Sequence, residues 1–163
     1  MAIKIRSIGM ADAAACLEIY RHYIENTTVT FEENTPSPDD FRARIERITK
    51  SYPFLVAEDC ERIVGFAHLD LFNPRSAYRR TADLTIYLAP DAVSHGTGGL
   101  LFAAIEEEAR VRGIANIISL ITSVNAESIA FHKKHGFEHV GHLTDVGVKF
   151  GQPLSVDYYQ KKL

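Results

Sequence analysis

The chain has no tryptophan, only two cysteines, no surplus of positive charge and no long apolar run. Each shortage excludes something. Cys16 falls in an apparent helix and Cys60 sits beside acidic residues, and no Cys-x-x-Cys spacing suggests a zinc knuckle or a redox pair. Eighteen Lys and Arg against twenty-one Asp and Glu leave a formal charge of −3, which argues against a nucleic-acid partner. The longest compact apolar run, Gly98 to Ile105, is far short of the roughly 18 residues that cross a bilayer. The opening MAIKIRSIGMAD alternates apolar and polar residues and lacks the apolar stretch of a secretory signal, so a soluble, cytoplasmic protein is expected. Repeats, low-complexity tracts and Pro/Gly/Ser linkers are also lacking, so residues 1–163 are read as one domain.

What is present is a regular alternation of element types. Ile3, Ile5 and Ile8 suggest a strand; Cys16, Ile19, Tyr20 and Tyr23 then recur at helical spacing after Asp12. Ser37-Pro38-Asp39-Asp40 carries a capping hydroxyl, Pro in the first turn and acids at the positive helix end, predicting a helix to about Lys50. Phe54–Ala57 and Ile63–Phe72 read as a hairpin turning at Glu58–Arg62, and Asn73–Arg80 as a loop. Ala82–Ala89 alternates, with Leu84, Ile86 and Leu88 on one face and Asp83, Thr85 and Tyr87 on the other. A glycine-bearing loop leads to a helix over Leu100–Arg112, stopped by Gly113, and then to a strand over Ile114–Ile121. Asn125 caps a helix ending at Gly136, and Phe137–Leu143 and Val156–Tyr159 close the sheet. Strand, loop, helix and strand from Ala82 to Ile121 make a crossover with a parallel pair. The class is therefore α/β or α+β.

The loop Pro90–Gly99 lies between a strand and a helix N-terminus, where free amides and the helix dipole invite an anion such as a pyrophosphate. A plain tight turn is the alternative. Gly-Lys-Ser/Thr is absent, as is the third glycine of a dinucleotide site, so a different phosphate ligand is required.

The loop resembles the acetyl-CoA signature of the GNAT acetyltransferase superfamily, Gln/Arg-x-x-Gly-x-Gly/Ala, with Gly96 and Gly98 matching and Val93 in place of Gln/Arg. Asn125-x-x-Ser128 followed by Phe131 and Gly136-Phe137 resembles the second landmark of that family. The resemblance implies a mixed, mostly antiparallel sheet of six to seven strands with helices on both faces. It implies acetyl-CoA as cosubstrate, held by Val93, Ser94, His95, Gly96, Thr97, Gly98 and Gly99, by Asn125 and Ser128, and by the strand residues Ile86, Tyr87 and Leu88.

Three more segments narrow the likeness: Tyr20-x-x-Tyr23-Ile24, Arg75-x-x-Tyr78-x-x-Thr81-Ala82-Asp83 and Gly147-x-Lys149-x-Gly151. They are similar to the phosphinothricin (methionine sulfoximine) N-acetyltransferase branch, in which Glu stands where this chain has Asp83. The resemblance implies Asp83 as general base assisted by His132, Arg75 and Tyr78 facing a small-molecule amine acceptor, and a homodimer. Lys149 is a further candidate, with Arg75, for the acceptor's carboxylate or phosphinate. Amine acetylation from a thioester needs a proton acceptor, stabilisation of the developing oxyanion and departure of a thiolate, and no metal. Asp is a methylene shorter than Glu, so a relay water is expected at Asp83.

Other readings stay open at this point: acetylation of a polyamine, an aminoglycoside or a protein N-terminus, a CoA-binding protein without catalysis, and an Asp83 that only pairs with Arg79, Arg80 or another loop cation. His132, His135, His139 and His142 cluster in sequence. His139 and His142, an odd number apart on a strand, are expected on opposite faces, so metal binding is not expected.

Overall fold

The computed structural model describes residues 2–163, and its elements follow the expected order. Strand β1 (Lys4–Ser7) leads through a 3-10 turn to helix α1 (Ala13–Asn26), and α2 spans Pro38–Thr49. Strands β2 (Phe54–Asp59), β3 (Arg62–Leu71) and β4 (Thr81–Leu88) precede α3 (Thr97–Val111). Strand β5 (Asn116–Thr122), helix α4 (Ala126–Lys134) and strands β6 (Glu138–Lys149) and β7 (Gln152–Lys162) complete the chain. The seven strands form one sheet in the order β1-β2-β3-β4-β5-β7-β6, antiparallel at every pairing but β4–β5.

Local chemistry explains the boundaries. Ser37 Oγ accepts the Asp40 amide at 3.1 Å and Pro38 opens α2, whose Phe41, Ile45 and Ile48 are buried. Cys60 and Glu61, both at positive φ, make the tight β2–β3 turn. Helices α1 and α2 pack on one sheet face through Tyr20, Ile24, Phe41 and Ile45, and α3 covers the other with Leu101, Phe102 and Ile105. Helix α4 sets Phe131 edge-on to Phe102 of α3. Among the described residues, no helix is long and apolar enough to cross a membrane.

The sequence expectation misses in three places. Helix α3 begins at Thr97 rather than Leu100, because Thr97-Gly98-Gly99 carries no apolar period to reveal it. Strand β5 starts at Asn116, two residues after the expected Ile114. Strands β6 and β7 run well past Phe137–Leu143 and Val156–Tyr159 and meet at a turn through Phe150 and Gly151, both at positive φ. Strand β6 is exposed on both faces for most of its length, so it has no reason to alternate.

Candidate active site

The parallel pairing of β4 with β5 consists of Thr81–Asn116, Ala82–Ile117 and Asp83–Ile118, and there it ends. Beyond it the two strands diverge, each still held on its other side by β3 or β7. The Ala89 amide donates to Val64 O at 2.8 Å, so by antiparallel alternation the odd-numbered amides of β4 face β3. Those of Ile86 and Leu88 consequently point into the gap. The Leu88 carbonyl, turned the same way, accepts the Tyr23 hydroxyl at 2.6 Å. A cleft of about 130 Å³ occupies the divergence, lined by Asp83, Ile86, Tyr87, Asn125, Ser128 and His132 together with Val29, Leu84, Thr85, Ser119, Leu120 and Ile121.

Residues far apart in sequence thus share one cleft. Asp83 projects from the face bearing Thr85 and Tyr87, as strand alternation requires, and its carboxyl is pushed up to about 6 by burial and then by the charge of Asp70. Neither Arg79 nor Arg80 engages it: Arg79 donates to Ser76 O and Arg80 to Gly113 O. His132 is buried, and its Nδ1 lies 2.7 Å from Ser128 O. Only a protonated Nδ1 can donate to that carbonyl, which leaves Nε2 with its lone pair. Burial also lowers the His132 pKa, which favours the neutral ring. Asn125 caps α4 by accepting the Ser128 amide at 3.2 Å, so one residue lines the cleft and orients the helix that carries His132.

The glycine loop stands beyond the cleft at the start of α3. Its N-cap Gly96 adopts φ +83°, Ser94 has φ +68°, and no side chain caps the helix. The first-turn amides therefore lack intrahelical partners, the arrangement an anion fills. Ser94, His95 and Gly96 are exposed, Val93 and Gly99 half-buried, and Thr97 and Gly98 buried. At Gly98 a Cβ would meet the Phe131 ring at 3.1 Å, so this glycine serves the α3–α4 contact as well as any close approach of a ligand.

Other candidates lie apart from the cleft. Arg75 and Tyr78 belong to the exposed β3–β4 connection, where Tyr78 packs edge-on to Phe72. Lys149 is only 1% exposed and donates Nζ to Thr30 O at 2.8 Å, while a Cβ at Gly147 would come within 2.3 Å of the Phe31 ring. Gly147-x-Lys149 therefore clamps the α1–α2 connection, which carries Val29 to the cleft, and Lys149 is not brought together with Arg75.

The expectation for the histidines needs correction. His139 Nε2 and His142 Nδ1 both reach Asp157 Oδ1, at 2.7 and 2.8 Å, because a bulge between His139 and Gly141 inserts a residue and restores both rings to one face. Even so, no group of three or more His, Cys, Asp or Glu among the described residues is arranged to hold a metal ion. Sequence reading missed Ser119, whose buried Oγ finds no partner in the protein, and Asp70, which the β3–β4 register sets opposite Asp83. Only strand register reveals Asp70.

A family model described as an acetyltransferase (GNAT) domain matches residues 5–155. The L-methionine sulfoximine/L-methionine sulfone acetyltransferase of Pseudomonas aeruginosa is 33% identical, over 100% of this chain and 96% of its own. The phosphinothricin acetyltransferase of Sinorhizobium meliloti, solved in complex with acetyl-CoA, superposes with a TM-score of 0.96 at 33% identity, covering 100% of this chain and 89% of its own. A ribosomal-protein-alanine N-acetyltransferase from Brucella melitensis gives a TM-score of 0.95 at 37% identity, covering 98% and 99%. With its cleft at the β4–β5 split and likeness along its full length, the chain belongs to the GNAT acetyltransferases and is an acyltransferase.

Proposed function

We propose that this acetyltransferase passes the acetyl group of acetyl-CoA directly to the α-amine of a small amino acid or analogue of the methionine sulfoximine or phosphinothricin type. One observation carries the reading: Asp83 and His132, among the described residues the two groups lining the cleft suited to take a proton near neutral pH, share that cleft with the point where β4 exposes unpaired amides. The residues suit the cosubstrate. The split strands would offer amide donors to an extended amide-bearing arm, and the uncapped start of α3 several more to a pyrophosphate.

Acetyl-CoA would supply an activated thioester carbonyl. The Ile86 and Leu88 amides are the donors for the oxygen on which negative charge develops. Asp83 takes the proton of the acceptor ammonium through a water, and His132 Nε2 is a second proton acceptor. The amine nitrogen then bonds the carbonyl carbon and gives its second proton to His132 Nε2, the carbon–sulfur bond breaks with its electrons on sulfur, and CoA leaves as thiolate. Arg75 and Tyr78 are assigned to the acceptor's acidic group from the loop at the start of β4, whereas Lys149 acts by fixing the segment that bears Val29. A homodimer in the cytoplasm belongs to the same proposal. Its support is the unpaired edge of β6, where Val140, Leu143, Val146 and Val148 are exposed.

A second reading, acetylation of a protein N-terminus, draws on the Brucella neighbour. Measuring free thiol released from acetyl-CoA tests both. The panel comprises L-methionine sulfoximine, L-methionine sulfone, phosphinothricin, a polyamine, an aminoglycoside and an alanine-initiated peptide. Saturable release with the amino-acid analogues is expected; release with the peptide alone would replace this reading with the second.

A further inference from the structure

Asp83 is not the only carboxylate on its sheet face. Strand register places Asp70 of β3 directly opposite it, and directly opposed residues in an antiparallel pair project to the same side. Two carboxylates so placed resist ionising together, and the proton settles on whichever has less support. The support is unequal. Arg47 of α2 grips Asp70 with both terminal nitrogens, at 3.0 and 2.9 Å, and the Leu71 amide adds a bond of 2.7 Å. Among the described residues, Asp83 has no ion pair and no side-chain partner, only the backbone amide of Leu84. From the geometry we infer that Asp70, kept ionised by the Arg47 fork, is a positioning residue whose charge, set across the strand pair, makes Asp83 a stronger base than its partial burial alone would.

The arrangement answers the departure from Glu. A shorter carboxylate reaches the acceptor less directly, and a stronger base compensates when a water relays the proton. Asp70 also lines a second cavity of about 330 Å³, between α1, α2 and the sheet, which shares Thr85 and Tyr87 with the cleft that Asp83 lines. The other ionisable groups facing Asp83 are few. His68 of β3 is a neutral ring, its pKa pushed down to about 4 by burial, Tyr87 of β4 is pushed upward and stays protonated, and α4 contributes the buried His132. Arg44 of α2 also lines that cavity, where Glu32 neutralises it in an ion pair of 2.7 Å, so Asp70 with its Arg47 partner is the charge that the strand register sets against Asp83.

The inference rests on the reading of Asp83 as the base, and the test separates the two. Carbon-13-labelled aspartate carboxyls are titrated by NMR in the wild type and in Asp70→Asn, Arg47→Ala and Asp83→Asn, the last to assign the signal. The pH dependence of kcat/KM with acetyl-CoA and L-methionine sulfone is measured on the same proteins. Asp70→Asn is expected to move the Asp83 midpoint and the acidic limb of the rate profile down together, by about one pH unit. Arg47→Ala, which leaves Asp70 uncompensated, is expected to move both up. Opposite shifts from the two partners are what a purely structural ion pair would not give. An Asp83 midpoint that stays put in both variants overturns the inference, whereas a midpoint that moves while Asp83→Asn keeps wild-type kcat overturns only the role of Asp83 in catalysis. Arg47 is exposed and Asp70→Asn is isosteric, so folded variants are expected, and a melting curve on each confirms it.

Discussion

Asp83 and Asp157 are the same residue on strands of one sheet, yet their surroundings drive them apart. In the β6–β7 hairpin, Asp157 has the Ser123 hydroxyl and the rings of His139 and His142 around it, and these hold its carboxyl down at about 2. At the β4–β5 split, Asp83 is half-buried without a side-chain partner and sits opposite another acid, and desolvation together with that charge lifts it to about 6. Where the sequence builds structure it supplies partners; where the chain must exchange protons it withholds them. The cost of withholding shows in stability, and the return shows in reactivity.

The contrast is broken most directly at Asp83. Asp83→Asn is expected to lower kcat by roughly 10²-fold or more at neutral pH while leaving acetyl-CoA affinity intact, with partial recovery at higher pH as more acceptor arrives unprotonated. The same variant should melt higher than the wild type. The folded pKa of about 6 lies above the ordinary carboxylate value of 3.8, so stability is fully present below about pH 4 and is lost as pH rises through 6. Asparagine escapes that loss, which is on the order of 2–3 kcal/mol at pH 7 before solvent screening. Steady-state kinetics with parallel melting curves checks both halves; an unchanged kcat would leave Asp83 a structural carboxylate.

Asp157→Asn should do the reverse. Its folded pKa of about 2 lies below 3.8, so the ionised form contributes stability above pH 4 that disappears as pH falls toward 2. The variant is expected to melt a few degrees lower at pH 7 with kcat nearly unchanged, and the difference should close between pH 4 and 2. Scanning calorimetry across that range decides it. A gap that persists at pH 2 would mean that shape, not charge, holds the hairpin.

A smaller effect is expected at Tyr23, which belongs to the cleft by one bond. Its hydroxyl satisfies the Leu88 carbonyl that the parting strands leave free, so Tyr23→Phe orphans an acceptor at a cost of about 1–3 kcal/mol. Chemical denaturation measures the loss, and a KM for acetyl-CoA raised several-fold would show that the bond also sets the width of the split.

These differences mark where the sequence was readable. Burial on one face writes a period, and α1, α2 and β2 to β4 were legible because Tyr20, Phe41, Ile45, Phe66 and Leu84 repeat at the spacing of their element. That Asp83 and His132 would share a cleft was legible, for Asp83 through motif and strand alternation and for His132 through the family resemblance alone. Strand β6 was not, since an edge strand exposed on both faces carries no alternation, and nothing in the sequence marks its bulge, without which the odd spacing of His139 and His142 puts them on opposite faces. Asp70 was hidden for another reason: which residue faces Asp83 depends on the register set by the β3–β4 connection, and a one-residue slip would have turned it away. That Lys149 is buried and donates to the Thr30 carbonyl was not legible either, since a lysine within a motif says nothing of which backbone carbonyl lies within its reach.

The smallest effect is expected at the one site that depends on backbone alone. The loop before α3 offers amides and a helix dipole but no cation, for Val93 stands where the family's signature has Gln or Arg. Val93 is half-buried with extended backbone, and Ser94 and His95 beside it are exposed, so a long side chain can reach solvent there without displacing the core. Val93→Arg should therefore add a charge-assisted bond to a pyrophosphate and tighten CoA by about two- to fivefold at low salt, an increment of 0.3–1 kcal/mol that screening removes near physiological ionic strength. Isothermal calorimetry at several salt concentrations measures it. Affinity equal to the wild type at every ionic strength would show that the amides of α3 and its dipole already saturate the phosphate site. The loop would then resemble Asp157, a place where partners are complete, rather than Asp83.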